Sequence, residues 1–178
     1  FKEIGCGAIA TYVEEHRTED LFLDTELGRI SQAQFCDEVR RLCQCSVPDA
    51  DIIWAWNELL TGIPDAKKEA LLALRRADSL FLLSNTNFMH WDKCAADFFP
   101  YRDSEGHTYT ATHFFEKISF LRHALGKPDP TIFTEALRQA GIKAEDTLFI
   151  DDREDNCQAA QSVGITALHD PEGEMWYK

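Results

Sequence analysis

Polar side chains with complementary chemistry follow apolar runs at three places in the sequence. Asp151 and Asp152 follow one such run, Ser84 follows another, and Lys127 directly precedes a proline. Paired carboxylates suit a hard cation such as Mg²⁺, whereas a hydroxyl and an ammonium group suit phosphate oxygens. Open α/β sheets bind ligands at the carboxyl ends of their strands. Together the three segments predict a phosphate site beside a divalent cation.

The carboxylate pair has two interpretations. Asp151 and Asp152 repel each other unless a cation or hydrogen bonds offset their charges. The alternative is that Asp152 caps the helix that begins near Glu154 while Asp151 is solvated. The pair alone does not separate these readings, but its combination with Ser84 and Lys127 favours the metal.

Ser84 begins a turn that leads into a helix, where backbone N–H groups attract anions. Ser84 therefore predicts a phosphate contact, and the alternative is that Thr86 or Asn87 simply caps that helix. Lys127 is stiffened by Pro128, although a lysine before a proline is ordinarily just exposed.

Three other residues could serve a site or a core. His90 lies one turn beyond Asn87, and Trp56 and Asn57 lie in a helical region. Each could face a substrate, but packing is the favoured reading for all three.

Composition excludes some classes of function. The chain has 178 residues and a net charge of -13, which argues against binding nucleic acid because that affinity rests on Lys and Arg. No apolar run approaches the roughly 20 residues needed to span a bilayer. The six cysteines match no zinc spacing, which predicts reduced thiols and a cytoplasmic location. Cys43 and Cys45 could form a redox pair, but the favoured reading gives them no such role.

The apolar pattern predicts an α/β protein of two parts. Residues 1–62 form a helical lobe, in which Ser31 caps a helix over Gln32–Cys43 and another helix starts at Pro48 and closes at Gly62. Residues 63–178 alternate helices with short apolar strands, which predicts a parallel sheet covered by helices on both faces. The predicted helices of this part are Ala66–Arg76, Met89–Phe98, Thr131–Ala140 and Glu154–Val163. The predicted strands are Leu80–Leu83, one within Phe114–Leu121, Leu148–Ile150 and Ile165–Leu168, with a polar loop over Tyr101–Thr110.

The three motifs, in this order and at this spacing, resemble motifs two, three and four of the haloacid dehalogenase-like (HAD) hydrolase superfamily. The helical lobe resembles the small cap of many members. The segments that carry this part of the resemblance are Phe22-Leu23-Asp24, Glu26-x-Gly28-x-Ile30-Ser31-x-x-x-Phe35, Trp56-Asn57, Gly62-Ile63-Pro64 and Leu82-Leu83-Ser84-Asn85-Thr86-Asn87-x-x-His90.

The resemblance implies a Rossmann-like core with a helical cap and a Mg²⁺-dependent phosphatase that works through an aspartyl-phosphate. Ser84 and Lys127 would then hold the phosphoryl oxygens, with a backbone N–H from Asn85, and Asp151 with Asp152 would hold Mg²⁺. The implied substrate is a small phosphorylated metabolite, with sugar phosphates as candidates.

The first motif of the superfamily, Asp-x-Asp or Asp-x-Gly-Gly, supplies the nucleophile and is missing from the sequence. It is expected shortly before Phe1, on a central strand, in a longer protein. Asp24 does not replace it, because no apolar strand precedes Asp24. One alternative is a non-catalytic phosphate-binding or regulatory protein. A metal-free 2-haloacid dehalogenase is disfavoured, because Asp151-Asp152 replaces the Ser-x-Asn-type segment of those enzymes.

Overall fold

The computed structural model describes residues 1–15, 21–120 and 126–177. Its contacts divide the chain into two compact units. The helical unit contains the described part of residues 1–63 and residues 86–100, and the sheet unit contains residues 64–85, 101–120 and 126–177. Residues 86–100, which the sequence pattern places with the core, therefore group with the helical unit. The assignment of cap and core roles to these units stays a prediction.

The helical unit has no strand among its described residues, as the sequence predicts. Its third helix has the predicted bounds. Its start is fixed because the Ser31 side chain accepts a hydrogen bond from the Gln34 N–H and the Gln34 side chain accepts one from the Ser31 N–H. The next helix ends at Asn57 rather than at Gly62. The helices are α1 (Ala8–Glu15), α2 (Leu21–Glu26), α3 (Gln32–Cys43), α4 (Asp49–Asn57) and α6 (Phe88–Lys93), the last continued by a π-helical turn over Cys94–Phe98.

Trp56 lies at the centre of the core of the helical unit. Its ring is 4.4 Å from that of Phe22 and 5.7 Å from that of Phe35, centroid to centroid. On α3 the apolar side chains of Phe35 and Val39 are also buried. Burial of such side chains contributes about 1.5–3 kcal/mol each, so this core is the main source of stability for the unit.

The sheet unit pairs its longer strands in parallel. β1 (Phe81–Ser84) pairs with β4 (Lys117–Phe120), and β5 (Leu148–Asp151) pairs with β6 (Thr166–His169). The α/β class with parallel pairing is confirmed. The helices of the unit are α5 (Asp65–Ala77), α7 (Ala111–Phe114), α8 (Pro130–Ala140) and α9 (Glu154–Ser162).

Several sequence predictions for the sheet unit need correction. The predicted loop over Tyr101–Thr110 contains a small antiparallel hairpin, β2 (Tyr101–Arg102) and β3 (Thr108–Tyr109). The strand predicted within Phe114–Leu121 is present as β4, which begins at Lys117 after a short helix.

The strand predicted at residues 148–150 is only partly buried. Leu148 is 57% exposed and Ile150 is 36% exposed. Among the described residues β5 pairs only with β6, so the face that carries these two side chains stays open. An apolar run predicts a strand, but not which neighbours cover it.

The opposite face of β5 packs on a core between α8 and α9. Ile132 and Phe133 of α8 and Ala160 of α9 form this core, and Phe149 of β5 packs against it. Gly141 ends α8 with φ +70°, a left-handed conformation that is readily accessible to glycine. The packing fixes β5 and α9, which carry most of the polar groups considered below.

Asp170 anchors the last residues of the chain. It is 1% exposed, its carboxylate accepts hydrogen bonds from the N–H groups of Glu174 and Met175, and its own N–H donates to the Asp151 carbonyl at 2.9 Å. The tail is thus joined to the end of β5.

No helix in the described parts of the chain is both long and apolar enough to cross a membrane.

Candidate active site

The sheet unit brings two of the predicted site residues into direct contact. The Nζ atom of Lys127 donates to Oδ2 of Asp151 at 2.5 Å. Their side chains are only 10% and 7% exposed. A buried ion pair is costly to form and costly to break from one side. Its presence where two polar motifs meet therefore favours a functional role over simple stabilisation.

Asn85 joins the end of β1 to the Lys127 segment. Its Oδ1 accepts a hydrogen bond from the Lys127 N–H and its Nδ2 donates to the Lys127 carbonyl, both at 2.9 Å. Ser84, the last residue of β1, is therefore held close to Lys127 through its neighbour. The sequence prediction used only the backbone N–H of Asn85, so this role of its side chain was missed.

The second carboxylate oxygen of Asp151 is held by α9. Oδ1 accepts from Asn156 Nδ2 at 2.7 Å and from the Arg153 N–H at 3.0 Å. Burial raises the pKa of Asp151, but the hydrogen bonds from Lys127 and Asn156 outweigh it and hold the pKa below its ordinary value. Asp151 is thus a carboxylate of fixed orientation at neutral pH.

Phe149 also contacts the ammonium group of Lys127. The Nζ atom lies 5.4 Å from the centroid of the Phe149 ring, within the range of cation–π attraction. The ring itself packs edge-on against Phe133, 5.0 Å away. Lys127 is therefore held through its backbone by Asn85 and through its ammonium group by Asp151 and Phe149.

Asp152 differs from its neighbour, because it is exposed. Its carbonyl accepts a hydrogen bond from His169 Nε2 at 3.1 Å. The alternative that Asp152 caps α9 is wrong, since α9 starts after Arg153 without a side-chain cap. The carboxylate of Asp152 stays available for a cation.

The donor set beside α9 agrees with the usual binding mode of Mg²⁺. In residues 1–15, 21–120 and 126–177 no three His, Cys, Asp or Glu side chains gather to hold a metal. Mg²⁺ typically uses one or two carboxylates and completes its shell with waters and substrate phosphate. Asp151 and Asp152 supply that number of carboxylates. Lys127 occupies Oδ2 of Asp151, so a cation at this atom has to displace or share the contact.

His90, Trp56 and Asn57 all belong to the helical unit. The rings of His90 and Trp56 stack with centroids 4.7 Å apart, and His90 Nε2 donates to the Trp56 carbonyl at 3.3 Å. This supports the packing interpretation for both residues. Asn87 caps α6 through the His90 N–H. Among the described residues, Trp56 Nε1, Asn57 Oδ1 and Asn87 Nδ2 are buried without hydrogen-bond partners.

Asn156 is the other polar residue of the site that the sequence prediction missed. It is 4% exposed and lies five residues after Asp151, on the first turn of α9. A polar residue between Asp155 and Cys157 in a helix start gives little signal by itself. The available signal was its position one turn beyond the carboxylate pair, where its side chain can reach back to the end of β5.

The comparisons with known proteins identify the family of the chain. Residues 11–164 match the family described as haloacid dehalogenase-like hydrolase, and the chain therefore belongs to this family of hydrolases. The D-ribitol-5-phosphate phosphatase of Bacteroides thetaiotaomicron is 26% identical over 180 residues, which cover 99% of this chain and 84% of that protein. The sesquiterpene phosphatase astK of Aspergillus oryzae is 28% identical over 128 residues, which cover 71% of this chain and 61% of that protein.

Solved structures show the same fold. A HAD family enzyme from Bacteroides thetaiotaomicron superposes with a TM-score of 0.90 at 38% identity, over 98% of this chain and 84% of that chain. Other structures of that enzyme are complexes with magnesium alone or with magnesium and inorganic phosphate, the latter also for a variant with one aspartate changed to alanine. A predicted HAD-like family hydrolase from Porphyromonas gingivalis gives a TM-score of 0.81 at 32% identity, over 99% of this chain and 82% of that chain.

Proposed function

We propose that this protein is a Mg²⁺-dependent phosphatase of small phosphorylated metabolites that works through an aspartyl-phosphate. The observation that carries the proposal is the convergence of three motifs in the sheet unit. Asn85 binds the Lys127 backbone, and Lys127 binds Asp151. The end of β1, the Lys127 segment and the end of β5 are thus joined in one constellation.

In this proposal each residue has a role that its chemistry allows. The Lys127 ammonium group and the Ser84 hydroxyl bind phosphoryl oxygens, together with the backbone N–H of Asn85. Asp151 and Asp152 hold Mg²⁺, which supplies charge neutralisation when it is bound. Such a site works mainly by positioning and by stabilising developing charge.

The covalent step needs a carboxylate nucleophile in addition to these residues. We propose that the first motif of the family supplies it, on a strand expected before Phe1. In this scheme the helical unit serves as the cap and the sheet unit as the Rossmann-like core. A protein that binds phosphate without turnover is the rival, and the experiment below distinguishes the two.

For the substrate we propose a phosphorylated sugar or sugar alcohol. One relative acts on D-ribitol 5-phosphate. The sesquiterpene phosphatase makes a prenyl phosphate the competing class.

A cytoplasmic location is part of the proposal. All six cysteines are free thiols, which is typical of proteins in reducing compartments. Fractionation of cells followed by immunoblotting tests this point. Recovery in an oxidising compartment would contradict it.

The test of the phosphatase uses the protein expressed from its intact gene. Lys127→Ala and Asp151→Asn should each lower kcat for p-nitrophenyl phosphate by at least about 100-fold, with an unchanged circular dichroism spectrum. Lys143→Ala, at a lysine 74% exposed, is the matched control and should retain activity. Activity of either site variant near that of the control contradicts the assigned roles.

The same preparation separates the remaining alternatives. Magnesium-dependent turnover supports the phosphatase, whereas phosphate binding without turnover supports the non-catalytic reading. Pentitol phosphates and farnesyl phosphate are then compared by kcat/KM. A preference for farnesyl phosphate overturns the substrate class and leaves the phosphatase standing.

A further inference from the structure

Three thiols meet in the helical unit. The Sγ atoms of Cys6 and Cys45 lie 3.5 Å apart, and the Cys6 thiol also forms a hydrogen bond with that of Cys43. We infer that Cys6 and Cys45 form a reversible disulfide by exchange with a low-molecular-weight disulfide of the glutathione type. The helical unit would then carry a site of thiol modification separate from the proposed chemistry of the sheet unit.

The backbone holds Cys6 in place on both sides. Gly5, with φ +76°, ends a 3-10 turn over Lys2–Ile4. The Cys6 N–H then donates to the Phe1 carbonyl at 2.9 Å, and the Cys6 carbonyl accepts from the Ile9 N–H at 3.1 Å at the start of α1. The Cys6 thiol therefore points into the core from a defined helix start.

Cys45 is held by the end of α3. Gln44 adopts a left-handed conformation with φ 51°, and the Cys45 N–H donates to the Arg40 carbonyl at 3.2 Å. The two sulfurs are thus brought together by fixed helix ends that lie 39 residues apart in the sequence. A disulfide needs them to approach from 3.5 Å to about 2.05 Å, a displacement that side-chain rotation can supply.

Cys43 and Cys45 are a poorer pair than Cys6 and Cys45. Only Gln44 separates them, and a bond between them would close a small ring around this residue. That ring would disturb the left-handed turn that ends α3. The sequence spacing drew attention to Cys43 and Cys45, but the contact that crosses the core involves Cys6.

The exchange starts at the accessible thiol. Cys45 is half-buried whereas Cys6 is 0% exposed, so the Cys45 thiolate attacks a sulfur of the glutathione disulfide and releases one glutathione thiolate. The Cys6 thiolate then attacks Cys45 Sγ in the mixed disulfide and releases the second. The protein loses two protons and two electrons, and one glutathione disulfide takes them up to become two glutathione thiols.

The environment of Cys6 makes the second step slow. Burial and the hydrogen bonds with Cys43 and Cys45 raise the pKa of Cys6 to about 12, so little thiolate is present at neutral pH. Once Cys45 carries glutathione, its hydrogen bond and charge no longer oppose ionisation of Cys6. A mixed disulfide at Cys45 should therefore be seen before the internal disulfide.

Peptide mapping tests the pairing. The full-length protein is incubated with oxidised glutathione, its remaining thiols are alkylated, and tryptic peptides are analysed by mass spectrometry without reduction. Cleavage after Arg and Lys places Cys6, Cys36 and the Cys43–Cys45 pair in three different peptides. We expect a cross-link between the peptide of Cys6 and that of Cys43 and Cys45, reversed by dithiothreitol.

Variants identify the sulfur that is bonded. The cross-link should persist in Cys43→Ala and in Cys36→Ala, a buried cysteine outside the trio, and should be lost in Cys45→Ala. Since Cys45 is half-buried, its replacement does not carry the folding risk of a change at Cys6. A cross-link that survives in Cys45→Ala overturns the assignment, and so does glutathione that stays on Cys45 without forming any cross-link.

Thermal unfolding gives an independent readout. The disulfide would close a loop of 39 residues and should raise Tm on the order of 10 °C in the oxidised protein. The same treatment should leave the Tm of Cys45→Ala unchanged. An equal rise in that variant contradicts the bond. Neither readout depends on phosphatase activity.

Discussion

The side-chain amide of Asn85 binds both backbone polar groups of Lys127, accepting from its N–H and donating to its carbonyl, each at 2.9 Å. This pair of bonds fixes the peptide unit from which the Lys127 side chain extends. The charge of Lys127 is thus positioned by a residue of the turn after β1, 42 residues away in the sequence.

Asn85→Ala should weaken the proposed site without removing any of its charges. The Lys127 segment would lose both bonds, and we expect kcat/KM to fall about 10- to 100-fold, as for other supporting residues. Asn85→Asp keeps the acceptor but sets a carboxylate oxygen against the Lys127 carbonyl and adds a negative charge beside the proposed phosphate site, so its kcat/KM should fall at least as far as that of Asn85→Ala. Steady-state kinetics of the three proteins checks this order, and equal kinetics for Asn85→Ala and wild type would show that Lys127 is positioned otherwise.

Asn156→Ala should affect both stability and the response to magnesium. Removing a buried hydrogen bond to a charged group costs about 1.5–3 kcal/mol, measurable by urea unfolding. The orientation of Asp151 would also relax, so half-maximal activity should need more Mg²⁺. Gln158→Ala is the matched control, because Gln158 lies on the same helix but is exposed, and its side chain donates to Glu154 rather than to Asp151. If both variants reached half-maximal activity at the same Mg²⁺ concentration, the role of Asn156 would be purely structural.

The low pKa of Asp151 predicts an acid-dependent loss of stability. As the pH falls below the ordinary value of 3.8, the unfolded chain binds this proton before the folded protein does. The stabilisation is therefore present above this pH and is lost as the pH falls through the lower pKa of the folded state. In Asn156→Ala one cause of the lowering is absent, so its unfolding free energy should change less between about pH 5 and pH 2. If the unfolding free energy of the variant fell more steeply with pH than that of the wild type, Asn156 would not be lowering the pKa of Asp151.

His90 predicts a second pH effect, within the helical unit. Burial lowers the pKa of His90, although its bond to the Trp56 carbonyl opposes this. As the pH falls, His90 therefore takes up a proton in the unfolded state before it does so in the folded state. The stability that neutral His90 gives the folded protein is present above the ordinary pKa of 6.5 and is lost as the pH falls through the lower pKa of the folded state. His90→Phe keeps a ring against Trp56 but cannot titrate. At neutral pH this variant should have a free energy of unfolding about 1 kcal/mol lower than that of the wild type, because the hydrogen bond to Trp56 is lost. Between about pH 7.5 and 5.5 its Tm should fall less than that of the wild type. An equally large fall in Tm would contradict the assignment.

Local signals explain which elements were predicted well. The start of α3 follows from the Ser31 and Gln34 side chains, which act within a few residues of the chain. α4 was predicted to be too long, because Leu59 and Leu60 continue the apolar pattern after the helix has ended at Asn57. Leu59 is 64% exposed, so an apolar residue at helical spacing was no proof of burial.

Tertiary neighbours explain what the sequence left out of the site. Lys127 and Asp151 were identified from their motifs, and the structure brings them together. The side chains of Asn85 and Asn156 act on partners that are fixed only by folding: Lys127 in the segment before α8 for Asn85, and Asp151 at the end of β5 for Asn156. A polar residue of this kind has no characteristic spacing, so its role depends on the coordinates of its neighbours.

Asp170 connects the last described residues to the proposed site, and limited proteolysis can test this connection. Its carboxylate holds residues 174 and 175, and its N–H holds the carbonyl of Asp151. Limited digestion by an endoprotease should therefore cut the segment after Asp170 more slowly in the wild type than in Asp170→Ala. Loss of Asp170 itself would remove the hydrogen bond from its N–H to the Asp151 carbonyl. Cleavage in this segment would therefore loosen the end of β5, which carries the Asp151 carboxylate of the proposed site.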